Sequence, residues 1–282
     1  MRFLRIILPS LIFFGGCHAP EPDADPSAEA VRILGEPHFT WRTIRAPGAR
    51  IHYSVGSYAE QNQAVLAKRV AESRAAVLKR LGLQGYSRSL DVFYVNSRDE
   101  MRQLTGQPVT GMAYTGDDMV VLVFNDEWRA FERHELTHVI SRRTWGEPGD
   151  PLAATLEGLA VYVDGDCGGY EVGRVARTVA DKGEILTLEE LLGDFRAQDD
   201  LVAYLQAGSI VEYYVRQRGT QSLQRLWERG LGAAPTLLGS PTPLFERNWR
   251  EWLRSSWGPL PDEAWERIRA DGCGIEKLSN AR

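Results

Sequence analysis

Residues 134–163 read HELTHVISRRTWGEPGDPLAATLEGLAVYV. The first five, His134-Glu135-Leu136-Thr137-His138, form a His-Glu-x-x-His motif. Four residues make slightly more than one helical turn, so on a helix both imidazoles leave the same face and can bind one ion. Glu135, next to His134, can reach a water activated by that ion. The spacing predicts a helix over about 127–143, with Asn125 and Asp126 as N-caps and Trp128, Phe131 and Val139 as core side chains.

The end of the stretch, PLAATLEGLAVYV over 151–163, is an almost continuous apolar run in which Glu157 stands out. A helix that is apolar all round is a buried helix. An unpaired carboxylate there costs several kcal/mol or takes up a proton, unless a cation or hydrogen-bond donors compensate. A divalent metal compensates directly. Two neutral histidines and one carboxylate form a catalytic zinc set that leaves a fourth position for water. His134, His138 and Glu157 are therefore the candidate ligands of one zinc ion per chain, and Glu135 is the candidate general base. His18, His38 and His52 are read as surface residues.

Working outward, residues 31–55 read as extended, with Ile51, Tyr53 and Val55 alternating with polar neighbours. A long helix is predicted over 58–81, ended by Gly82 and Gly85. Leu90–Val95 reads as a strand, Asn96 or Ser97 as the cap of a helix holding Met101 and Leu104, residues 106–118 as a loop, and 119–124 (MVVLVF) as a strand. That last strand is the candidate for pairing with a substrate backbone. Further helices are predicted at 152–163, 172–182, 200–218, 220–230 and 242–256, with Gly219 as a C-cap. The aromatic and arginine-rich 242–256 segment reads as an amphipathic packing helix. Asp164–Gly169 (DGDCGG) lacks the further acids of a calcium loop and the Gly-Lys-Ser/Thr of a phosphate loop, and reads as a turn. A β-rich first half followed by a helical second half gives an α+β fold with two lobes and a cleft between them.

Eighteen residues, 139–156, separate His138 from Glu157. A His-Glu-x-x-His motif, 18 residues, then a Glu-Gly-Leu-Ala helix resembles the gluzincin peptidases, specifically the aminopeptidase N type and the smaller peptidase-MA-like domains, over about residues 40–256. The resemblance implies a gluzincin (thermolysin-like) catalytic domain. Its β-containing lobe would span 31–143 and end in the metal helix, and its helical lobe, 144–282, would carry the third ligand. It implies zinc-dependent hydrolysis of a peptide or protein substrate. Residues 204–219 read YLQAGSIVEYYVRQRG, similar to the family's Tyr-x-x-Gly helix, with Ala207 where Gly is usual. The family's tyrosine stabilises the oxyanion, a role that falls on Tyr204, with Tyr213 and Tyr214 as runners-up. From the residues alone, Ala207 and Gly208 would let this helix pack closely against the metal helices. Aminopeptidase N relatives hold the substrate amine with a Gly-x-Met-Glu-Asn segment. The equivalent here, Gly111-Met112-Ala113-Tyr114-Thr115, has no Glu, which points to an endopeptidase. Asp117 and Asp118 nearby keep an aminopeptidase open. Two other readings also stay open: a zinc-bearing binding module without turnover, and a structural lipoprotein whose motif is coincidental.

The chain has 282 residues, 43% hydrophobic and 25% charged, an ordinary globular balance. Its net charge of -5 argues against nucleic acid as a partner, which needs a basic face. Residues 1–16 begin with two arginines and an apolar run too short to span a bilayer, as an export signal does. Cys17 after Gly15-Gly16 resembles the bacterial lipobox, with Phe14 where Leu is usual. This implies a lipid on Cys17, a bacterial cell-envelope location at the outer membrane, and residues 17–30 as a tether. Plain secretion is the alternative. Cys167 and Cys273 then remain as an even pair, read as one disulfide in an oxidising compartment.

Overall fold

The computed structural model describes residues 25–149 and 152–274. Residues 1–24, with the expected export signal, Cys17 and His18, lie outside the described residues. The sheet comes from short β-branched and aromatic runs. Its strands are β1 (Trp41–Ala46), β2 (Ala49–Ser54), β3 (Leu90–Val95), β4 (Gly111–Tyr114) and β5 (Met119–Val123), in the order β1-β2-β3-β5-β4. β1 and β2 form a hairpin at Gly48, whose φ of 71° suits glycine. β2, β3 and β5 run parallel, and β4 closes one edge antiparallel to β5. The 106–118 segment is thus not all loop: Gly111–Tyr114 pair with β5 in register. β5 is bonded on both sides, so the 119–124 segment is not a free edge; β4 is one of the two edge strands, β1 being the other.

Central strands are buried on both faces, and their two-residue period divides the core. Ile51, Tyr53, Val92, Tyr94, Val120 and Leu122 face the main core, whereas Phe93, Val95, Met119, Val121 and Val123 face a smaller one. Helix α1 (Ala28–Leu34), capped by Ser27, helps cover the smaller face with Ala30 and Ile33 fully buried. This corrects the extended reading after residue 31. The helix runs across residue 30, where the sequence places the end of a tether, because the outer face of the sheet needs apolar cover. His52 is also not a surface residue. It is 2% exposed, stacks on Phe93, and lies 2.9 Å from Asp91, which also receives Arg50.

The helix predicted over 58–81 is broken at Asn62 into α2 (Tyr58–Gln61) and α3 (Gln63–Leu81). α4 (Arg98–Thr105) starts at its Ser97 cap. α5 (Glu132–Trp145) begins later than the reading of 127: Asn125 Oδ1 accepts from the amides of Glu127 and Trp128, closing a turn and not a helix. Val139 is core, while Trp128 and Phe131 are half-buried before the helix. α6 (Leu152–Asp164) runs into the hairpin β6 (Asp166–Cys167) and β7 (Tyr170–Glu171), so the Asp164–Gly169 segment turns the chain as read. There follow α7 (Val172–Asp181), α8 (Leu188–Gly193) and α9 (Asp200–Arg218), which ends at Gly219. Residues 220–222 make a 3-10 turn before α10 (Leu223–Arg229) and α11 (Ala234–Leu237). α12 (Thr242–Ser256) packs through Phe245, Trp249 and Leu253, as an amphipathic helix should. α13 (Asp262–Asp271) brings Cys273 back to a disulfide with Cys167. The whole is an α+β arrangement: the five-stranded sheet lies in the first half among helices α1–α5, so that half is mixed and not β-rich, and the second half is helical apart from the β6–β7 hairpin.

Candidate metal centre

α5 sits under the sheet with Leu136, Thr137, Val139, Ile140 and Ser141 buried. That burial fixes the rotation of the helix and turns the His134/His138 face towards α6. α6 is held in turn by α9. A Cβ on Gly158 would come within 3.0 Å of Ala207, and one on Gly208 within 2.4 Å of Val161, so the small residues set how closely the helices approach. The close packing expected of Ala207 and Gly208 is therefore present.

Glu157 then meets both histidines. His134 Nε2 lies 3.2 Å from Glu157 Oε2 and 3.2 Å from His138 Nε2, and His138 Nε2 lies 3.4 Å from Glu157 Oε2. Donors ~2.0–2.1 Å from a tetrahedral zinc would stand roughly 3.3–3.4 Å from one another, so the triangle fits such an ion. The three side chains are 12–14% exposed, which leaves one side open. The set fits a divalent metal, and His134, His138 and Glu157 are the residues that could hold one.

The electrostatics follow from crowding charge in a buried place. Burial opposes the protonated form of His134, but the hydrogen bond to Glu157 and the charges of Glu135, Glu157 and Asp164 outweigh it and raise its pKa to about 9. Burial alone would raise Glu157; the two imidazoles outweigh it and hold the carboxyl well below the usual range. Glu135, buried and without an ion-pair partner of its own in this triangle, is raised, mainly by desolvation. Its carboxylate lies against β4: a Cβ on Gly111 would fall 2.4 Å from Oε1.

Tyr204, at the start of α9, is half-buried beside Phe195, with ring centroids 5.2 Å apart. Burial and the charge of Glu157 raise its phenol, and Arg196 opposes them. The runner-up tyrosines are engaged elsewhere. Tyr213 packs on Phe245 and Trp252 of α12, and the Tyr214 hydroxyl donates to Ser222 O at 3.4 Å.

Sequence reading missed two supports. Asp164, seven residues after Glu157 on the same helix face, is buried and pairs with Arg129, which also donates to Asp166 O at 3.0 Å. This ties the end of α6 to the segment that enters α5. Helical spacing of two acids in an apolar helix was the available signal. The second is Arg196, whose Nη2 is 3.7 Å from Glu157 Oε1 and whose side chain is 71% exposed. No local pattern marks a lone arginine on a turn.

No family model and no curated protein sequence matches the chain. Among solved structures it is similar to an aminopeptidase N family protein from Idiomarina loihiensis, with 12% identity and a TM-score of 0.38. The match covers 82% of this chain and 46% of that one, so the chain spans about half that protein's length. So distant a likeness adds nothing to the geometry above.

Proposed function

We propose that the chain is a zinc metallopeptidase that cuts internal bonds of peptides or proteins. The observation that carries this is the His134–His138–Glu157 triangle, with edges of 3.2, 3.2 and 3.4 Å, beside the buried Glu135. Zinc held by these residues would supply Lewis acidity, lowering the pKa of a water towards ~7 and polarising the scissile carbonyl. Glu135, its pKa raised by burial, takes the proton of the attacking water and delivers it to the leaving amine. Tyr204, protonated at neutral pH, donates a hydrogen bond to the oxyanion. An extended substrate adds to the free edge of β4, which runs past Glu135 at Gly111. In this reading the sheet-bearing part up to 143 and the helical part from 144 are the two gluzincin lobes.

We further place the enzyme in the bacterial cell envelope, exported through residues 1–16 and anchored by a lipid on Cys17. The test is metal analysis and peptide-library cleavage by the soluble form lacking residues 1–17, with and without chelator. About one zinc per chain and chelator-sensitive internal cleavage are expected. A metal-free preparation, or cleavage indifferent to chelator, overturns the proposal. Mass spectrometry of the mature N-terminus tests the lipid, and an unmodified terminus downstream of residue 17 rejects it.

A further inference from the structure

We infer that α9 and α10 frame a phosphate-binding recess separate from the metal centre. A cavity of about 540 Å³, within the range of ligand sites, opens where α9 ends and α10 begins. Arg218 enters it from the last turn of α9, and Arg225 and Arg229 from α10. The latter two are four residues apart and so share a helix face, where like charges repel. Among the described residues none of the three guanidiniums is paired with a carboxylate; Arg218 Nη2 donates to Leu237 O at 2.9 Å. Glu228 also lines the recess, and its Oε1 accepts from Gln224 Nε2 at 2.9 Å.

Three cations and one carboxylate leave a local charge of about +2, on a chain whose net charge is -5. A phosphate monoester carries about -1.5 to -2 at neutral pH and would neutralise it, whereas a single carboxylate would not. The guanidinium fork matches phosphate oxygens two at a time. Tyr214, Ser222, Thr236 and Leu237 make up the rest of the lining. Tyr204 and Arg218 are 14 residues apart on α9, roughly 21 Å at the helical rise, so this ligand is not the substrate at the metal. The inference does not depend on what the metal centre does.

The experiment is calorimetric titration of the full chain with inorganic phosphate and with pyrophosphate, at low salt. One saturable site per chain is expected, weakening steeply as salt is raised. The double variant Arg225→Gln/Arg229→Gln should bind at least roughly tenfold more weakly, while Arg216→Gln, on α9 beside Glu212, should bind like the parent. All three side chains are exposed, so unchanged thermal melting is expected and separates lost binding from lost folding. Phosphatidylcholine vesicles with and without phosphatidic acid distinguish the sources. Displacement of pyrophosphate only by the phosphatidic acid vesicles points to a lipid headgroup, and no displacement points to a soluble phosphate ester. Affinity weaker than about 1 mM for both anions, or binding untouched by the double variant, overturns the inference.

Discussion

Gly111 lies against the side chain of Glu135 so closely that a Cβ on it would come within 2.4 Å of Oε1 and 2.8 Å of Cδ and Cγ. The edge strand and the proposed general base are thus in direct contact. Gly111→Ala should push the carboxylate aside while leaving the triangle of ligands in place. The expected outcome is retained zinc and a fall in kcat/KM on the order of 10²-fold, the usual cost of misplacing a reacting group by about 1 Å. Full activity in this variant would mean that Glu135 can shift without penalty.

Glu135→Gln and Glu157→Ala should separate chemistry from metal binding. An amide cannot take a proton, so the first should keep zinc and lose roughly 10²–10⁴ in kcat. The second removes one of the three proposed ligands and should sharply weaken zinc binding. Zinc retained at one per chain in Glu157→Ala would put the third ligand elsewhere.

Metal uptake should release protons. In the metal-free protein His134 has a pKa of about 9, above the ~6.5 of an ordinary histidine, so at pH 7 it carries a proton that a metal must displace. Zinc affinity should therefore fall as pH falls below about 9. The linkage has the opposite sign for the metal-free fold: this histidine stabilises it fully below ~6.5, and that contribution is lost as pH rises through about 9. Titrating zinc at pH 7 in buffers of different ionisation enthalpy reads the proton count. A buffer-independent heat would contradict it.

The Cys167–Cys273 disulfide closes a separation of 106 residues and holds the C-terminal segment against the entry to α5, where the Arg129 amide donates to Gly274 O at 3.0 Å. In the chain-entropy view a loop of this length contributes about 4–5 kcal/mol. Cys273→Ser should lower the melting temperature by several degrees or more, and reductant should do the same to the parent. Equal melting with and without reductant would show the two cysteines unlinked in solution.

What the sequence made legible was set by how local each cause is. The His134/His138 pair and the lone acid Glu157 announce themselves through helical spacing and through the cost of burying charge. α9 was readable over its full length, 200–218, because Gly219 marks its end. The misses depend on partners outside the segment itself. α1 is a helix because Ala30 and Ile33 can cover the outer face of the sheet, and β4 is a strand because β5 offers it a ladder. For α1 that cause lies far along the chain; for β4 it lies just across the 115–118 turn, whose glycine and polar residues hid the hairpin. His52 was misread for the same reason as α1: its partner Asp91 sits on a neighbouring strand, 39 residues away.

The final prediction concerns where a peptide is cut. To read a free amine, the cleft needs an acid near the substrate's first residue, because a buried ammonium without a partner is costly. β4 carries no acid from Gly111 to Tyr114. Asp118, one nearby candidate, is 5% exposed and is taken by Tyr86, Arg88 and Arg143. Both Asp117 and Asp118 lie in the turn beyond Tyr114, whereas Glu135 touches the other end of the strand at Gly111. Three strand residues span about 10 Å, too far for either aspartate to hold an amine beside the scissile bond. Two peptides identical except for an acetylated N-terminus should therefore be cut at the same internal bonds with similar kcat/KM. Stepwise loss of N-terminal residues from the free peptide alone would show that the amine is read by a group other than these two.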